Sequence, residues 1–214
     1  MKKINSAAVL LAAVAFSFAL SACSKTESKT PAPSPASEAS ASAEPAKSEA
    51  PAAAASSSDL INKQISGIYM SANDLDAGTL TEVTAAEDGF SLNATEDKTL
   101  EIQDIAKNPV TVGDDTFTKR ISTKGSGKAE FRNISFPAKA GDSIIVYCGS
   151  SSKSDPRPLH VVNVDSGEEV GTITMAADGS KNVTVDEVIA PKDGTYCVFS
   201  TSGTGYIYQI KVGK

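Results

Sequence analysis

From Gly67 to Val212 the chain runs in short stretches where apolar and polar side chains alternate with period two, broken by turn residues. Period two puts successive side chains on opposite faces of an extended strand, whereas no 3.6-residue apolar stripe of an amphipathic helix recurs. The clearest expected strands are Phe131–Phe136, Ser143–Cys148, Leu159–Val164, Glu169–Met175, Asn182–Val188, Thr195–Ser200 and Tyr206–Val212. Fainter ones are Gly67–Met70, Leu80–Val83, Gly89–Leu92, Thr99–Ile102 and Phe117–Ser122. Ala140-Gly141-Asp142, Ala177-Asp178-Gly179 and Lys192-Asp193-Gly194 supply turn chemistry between them. Many short strands with such punctuation predict an all-β fold, a single antiparallel β-sandwich of jelly-roll type. In the last strand the pattern sets Tyr206 and Tyr208 on the face opposite Ile207.

The pattern changes upstream. Lys2 and Lys3 precede an apolar run from Ala7 to Leu20, built like a secretory signal and too short for a membrane span of about 20 residues. The run ends in Leu20-Ser21-Ala22-Cys23, which resembles the lipobox of bacterial lipoproteins. That resemblance implies cleavage after residue 22, acylation of Cys23 and anchoring of the mature chain to a membrane by its lipid. Ser24 lacks the acidic signal that retains some lipoproteins at the inner membrane, so the resemblance implies an outer-membrane or cell-surface location in the cell envelope. From residue 24 to 58 the chain is almost wholly Ala, Ser, Pro, Glu and Lys, with no aromatic or branched aliphatic side chain. Such a composition cannot bury enough apolar surface to offset its conformational entropy. The expected organisation is therefore a signal peptide over 1–22, a lipidated cysteine and disordered spacer over 23–58, and one folded domain over 59–214.

Within the domain a second resemblance emerges. Phe117-Thr118-Lys119-Arg120-Ile121, Gly125-Ser126-Gly127, Arg132-Asn133-Ile134-Ser135-Phe136 and Asp155-Pro156-Arg157-Pro158-Leu159 occur in that order. Gly194-Thr195-Tyr196 and Tyr206-Ile207-Tyr208 follow them. Together these pieces are similar to an accessory module of bacterial pectate lyases, over about Gly67 to Val212. The resemblance implies a β-sandwich that binds carbohydrate and performs no catalysis. Cys148 and Cys197 depart from the family pattern. The catalytic unit of those enzymes is a long parallel β-helix, which a domain of this size does not accommodate.

Charge narrows the partners. The domain holds 15 basic against 22 acidic side chains, a net charge of −7, which gives no electrostatic case for nucleic acid. His160 is the only histidine, so no histidine metal cluster forms, and in its apolar run it reads as structural. The three arginines Arg120, Arg132 and Arg157 all fall on the matched motifs. A guanidinium fork recognises carboxylates bidentately, and an acidic plant polysaccharide such as pectin presents them repeatedly. The competing reading pairs these arginines with Asp142, Asp155 or other internal acids.

With no tryptophan in the chain, Tyr69, Tyr147, Tyr196, Tyr206 and Tyr208 are the aromatics available for stacking on sugar. Arg120, Arg132, Arg157, Tyr206 and Tyr208 are thus the candidate ligand-binding residues. Cys148 and Cys197 are either a disulfide or two buried free thiols. No cofactor is expected beyond a structural calcium held by Asp74 and Asp76, or by Asp114 and Asp115. The expected function is a membrane-anchored, non-catalytic carbohydrate-binding lipoprotein. The alternative is an envelope sandwich that docks protein and binds no sugar.

Overall fold

A computed structural model of the chain describes residues 57–214. The signal segment, Cys23 and the spacer to residue 56 lie outside the described residues. In chain order the elements are α1 (Ser57–Ile61), β1 (Gly67–Ser71), β2 (Gly78–Leu80), β3 (Thr84–Ala85), β4 (Ser91–Asn93) and β5 (Leu100–Asp104). Then come β6 (Val110–Val112), β7 (Asp115–Phe117), β8 (Lys119–Ser122), β9 (Asn133–Ala138) and β10 (Ser143–Ser150). The last are β11 (Arg157–Asn163), β12 (Glu168–Met175), β13 (Thr184–Ile189), β14 (Gly194–Phe199) and β15 (Gly205–Gly213). Short 3-10 turns cover Ala72–Asp74 and Glu87–Gly89.

Two antiparallel sheets form the sandwich. One runs β13-β10-β15-β8-β5-β2, with β1 pairing beyond the point where β8 leaves β15; the other runs β12-β11-β14-β9-β4-β3. Between them Ile144, Val146, Leu159, Val161, Ile173, Val198, Ile207 and Ile210 form the main core. This is the all-β sandwich that the alternation predicts.

β10 breaks the usual rule of one buried face, since all eight of its residues are buried. Ile144, Val146 and Cys148 face the second sheet, while Ile145 and Tyr147 face outward. A continuous apolar run needs cover on both sides. The cover comes from the β6–β7 hairpin and α1, which bring Val110, Phe117 and Leu60 onto Ile145, Tyr147, Val185 and Tyr208. Phe117 packs with ring centroids 5.9 Å from Tyr147 and 5.4 Å from Tyr208. The outer face of the first sheet therefore carries a second small core. α1 begins two residues upstream of the expected domain start at Asp59.

Several strand ends move for local reasons. The strand expected from Phe131 starts at Asn133, because Lys128 and Phe131 close a tight bridge and Arg132 takes a left-handed φ of 51°. The segment Phe117–Ser122 divides at Thr118, whose N–H donates to Asn73 Oδ1 at 2.8 Å instead of to a sheet. Asp88 and Gly89, at φ of 55° and 83°, turn the chain before β4.

Of the two cysteine readings, the disulfide is overturned. Both thiols are free and buried. Cys148 points into the space between the sheets, whereas Cys197 packs with Val162 and Phe199 on the far side of the second sheet. A strand lies between the two side chains. Burial pushes the Cys197 thiol up to about 12 and that of Cys148 higher still, so neither is a reactive thiolate at neutral pH.

Candidate functional site

β8 and β15 pair with Ser122 opposite Tyr206 and Ile121 opposite Ile207. Ile121 belongs to the main core, so Arg120 projects to the outer face, diagonal to Tyr206. The guanidinium carbon sits 3.5 Å from the Tyr206 ring centroid, a direct cation–π stack. Its Nε donates to Gln103 Oε1 at 2.8 Å and its Nη1 to Ser180 Oγ at 2.7 Å.

No carboxylate pairs with Arg120 among the described residues. Glu101 is kept from it by Gln103, which donates from Nε2 to Glu101 Oε2 at 3.0 Å. Lys124 completes the Glu101 pairing at 2.9 Å, and its hydrogen bond is the main reason the Glu101 carboxyl lies below its ordinary value. The guanidinium is thus oriented by neutral oxygens, with its charge available to a ligand.

Arg120 floors an open cleft of about 1000 Å³ between the β5–β6 connection and the β12–β13 connection. Lys107 and Lys181 add two cations to its walls and Asp104 one anion. Asp104 Oδ1 already accepts from the Ala106 N–H at 2.8 Å, and Lys181 pairs with Asp178 at 3.1 Å. A locally basic cleft therefore opens in an acidic domain. Tyr208 helps to build it without lining it. Its ring is buried and its hydroxyl donates to the Gly179 carbonyl at 2.6 Å, fixing the loop that carries Ser180. Tyr208 is therefore no stacking platform, because burial keeps it from any ligand.

The other two arginines stand apart. Arg157, at the start of β11, donates from Nη1 to Ser151 Oγ at 3.1 Å and to the Thr204 carbonyl at 2.9 Å. Arg132 donates from Nε to the Thr99 carbonyl at 3.3 Å, joining the start of β9 in one sheet to the start of β5 in the other. Neither lines the Arg120 cleft, so the three candidate arginines are not gathered in one groove. Both act on backbone oxygens of loops. Pairing with Asp142 or Asp155 does not occur either.

His160 is held between Glu169 Oε2 at 3.0 Å and Thr201 Oγ1 at 2.9 Å, with its ring against Phe199. At the aspartates suggested for calcium the structure shows the following contacts. Among the described residues no three His, Cys, Asp or Glu side chains converge. Beside Asp74 the ammonium of Lys119 donates to the Asn73 and Leu75 carbonyls, and Asp115 lies 3.9 Å from Lys211.

No protein-family model and no curated protein sequence matches the chain. Among solved structures it is similar to CsCBM6-3 from Clostridium stercorarium in complex with cellobiose, at 11% identity and a TM-score of 0.40, over 69% of this chain and 94% of that one. It is similar to the C-terminal CBM6 of LamC from Zobellia galactanivorans, at 16% identity and a TM-score of 0.35, over 45% of this chain and 80% of that one. The carbohydrate-binding module CBM36 in complex with calcium and xylotriose matches at 15% identity and a TM-score of 0.33, over 68% of this chain and 99% of that one. At these identities and scores the likeness carries neither a ligand nor a residue role to this chain.

Proposed function

We propose that the protein is a lipid-anchored, non-catalytic carbohydrate-binding protein of the cell envelope that holds an acidic polysaccharide of pectic type. The observation that carries this reading is the Arg120 guanidinium, stacked on Tyr206 and held by Gln103 and Ser180 with no carboxylate partner. Its fork suits a sugar carboxylate, and Lys107 brings further positive charge to the same cleft. Arg132 and Arg157 lack a carboxylate partner too, but they are spent on loop carbonyls and line no part of this cleft. The ligand class follows from the resemblance of the 117–121 motif to the pectate lyase accessory module, whose arginine falls at Arg120.

The anchor is Cys23, at the head of the Ala/Ser/Pro-rich segment. Affinity electrophoresis of the full chain in detergent tests the reading. Retardation in gels containing polygalacturonate, and none in gels containing neutral galactan, is expected of the Arg120 cleft. Equal mobility in both would overturn the acidic-ligand assignment.

A further inference from the structure

The register of the first sheet places a second set of ligand-facing groups on the same outer face, at the other end of β15. Tyr69 pairs with Lys211 and Ser71 with Gln209 across β1 and β15, and Lys211 and Gln209 sit opposite Ile145 and Tyr147 of β10. Ile145 and Tyr147 face outward, so Tyr69, Lys211 and Gln209 do as well. The segment from Ile61 to Ile68 crosses beside them and leaves a groove of about 240 Å³, lined by Tyr69, Gln209, Lys211 and Gln64. The segment is pinned by Lys63, whose ammonium donates to Ser143 Oγ at 2.8 Å and pairs with Glu187.

Two observations point to a ligand there. Tyr69 is 54% exposed, the only one of the five tyrosines left as a large open apolar surface. Gln209 is 9% exposed, and its Oε1 is buried with no hydrogen-bond partner among the described residues. A buried acceptor left unpaired is destabilising, which marks an amide whose partner comes from elsewhere. Gln209 lines the groove, and the last torsion of a glutamine side chain is soft and two-fold, so a half-turn exchanges the buried oxygen for the amide nitrogen.

Net charge is spent locally. Lys63 pairs with Glu187, and Lys211 donates to the Tyr147 hydroxyl at 3.1 Å and faces Asp115 at 3.9 Å. The groove therefore offers an aromatic face, an amide and no free carboxylate or unpaired cation.

We propose that this groove is a second glycan subsite, taking one uncharged pyranose stacked on Tyr69 with a sugar hydroxyl hydrogen-bonded to the Gln209 amide. The proposal takes its ligand class from the carbohydrate reading but not its charge. Tyr206 and the residue opposite Tyr69 are five positions apart on β15, with the register shift of the β10–β15 pairing between them, so at most about 16 Å at a strand's rise. One chain of mixed composition can span that distance, its acid at Arg120 and its neutral unit at Tyr69. Two weak contacts on one polymer then act with an effective concentration that neither has alone.

Saturation-transfer difference spectroscopy of the full chain in detergent, with the methyl pyranosides of glucose, galactose and xylose as probes, tests it. At least one glycoside should give difference signals in the wild type and in Arg120→Ala, and lose most of them in Tyr69→Ala. Gln209→Leu should lose the signals while its melting temperature stays level or rises, because the unpaired buried acceptor is gone. No signal with any of the three, or signals that survive in Tyr69→Ala, would overturn the proposal. Failure of the acidic cleft would instead appear as absent polygalacturonate binding, with these signals intact.

Discussion

Tyr208→Phe removes one oxygen at the point where the fold and the cleft meet. The lost hydroxyl donates to the Gly179 carbonyl at 2.6 Å inside a buried site. A neutral hydrogen bond contributes about 1 kcal/mol net, and an orphaned buried carbonyl about 1–3 kcal/mol. The loop cannot collapse to hide that carbonyl. A Cβ on Gly179 would lie 2.5 Å from the Gly149 backbone, so the two backbones already touch. The expected loss is therefore about 2 kcal/mol, or about 4–8 °C in Tm for a domain of this size.

A second signature lies in alkali. Burial is the main force holding the Tyr208 phenol above its ordinary value, with Arg120 opposing it. A raised pKa means that the folded state keeps its proton longer than the unfolded state. The stability it contributes is complete below about pH 10 and lost as pH rises further. Tyr208→Phe lacks that loss, so the gap between wild type and variant should shrink above pH 10. Thermal unfolding followed by circular dichroism at pH 7 and pH 10.5 measures both. A Tm within 1 °C of wild type at pH 7, or a gap that widens in alkali, would contradict a structural role for the Tyr208 hydroxyl.

Three further outcomes follow from other contacts. Under native conditions neither Cys148 nor Cys197 should react with a thiol reagent, and both should react in denaturant without reductant; one bond in place of two thiols would contradict their packing. Lys63→Met should destabilise the chain at pH 7 and flatten its acid limb in urea titrations. Burial raises the Glu187 carboxyl, but the Lys63 and Ser143 hydrogen bonds outweigh it and leave the pKa lowered, so this stability is present above the usual carboxylate range and lost as pH falls through the folded value. Cys23→Ser should move the protein from the detergent to the aqueous phase in Triton X-114 partition; a variant that stays in the detergent phase would remove the lipid anchor.

Much of the fold is legible because period two records burial. β10, β14 and β15 announce themselves through runs such as Ile144 to Cys148, and the alternation correctly parts Tyr206 and Tyr208 from Ile207. The β6–β7 hairpin is not legible, since three-residue strands such as Val110–Val112 carry too little pattern to separate from a loop. Its cover over Tyr208 turns an aromatic that reads as exposed into a buried one. Arg120 and Tyr206 are individually visible as candidates, but they lie on β8 and β15, and only sheet pairing brings them into contact. Arg132 and Arg157 look equivalent to Arg120 by motif, but the fold spends them on the Thr99 and Thr204 carbonyls, away from the cleft. Tyr69 reads as one tyrosine among five until the sheet register places it beside Gln209 and Lys211.

Calorimetric titration of the full chain with oligogalacturonate tests whether Arg120 presents an uncompensated guanidinium to a sugar carboxylate. Arg120→Ala should weaken binding by about 1.5–3 kcal/mol, roughly 10- to 150-fold, the range for charge-assisted hydrogen bonds. Arg120→Lys should recover only part, because the ammonium keeps the charge but loses the planar fork. Wild-type affinity should fall as salt rises, while the Tm of Arg120→Ala drops by only a few degrees, from the lost stack and the Gln103 and Ser180 hydrogen bonds. Unchanged affinity in Arg120→Ala, or a loss of binding seen only where the variant is unfolded, would contradict that role for Arg120.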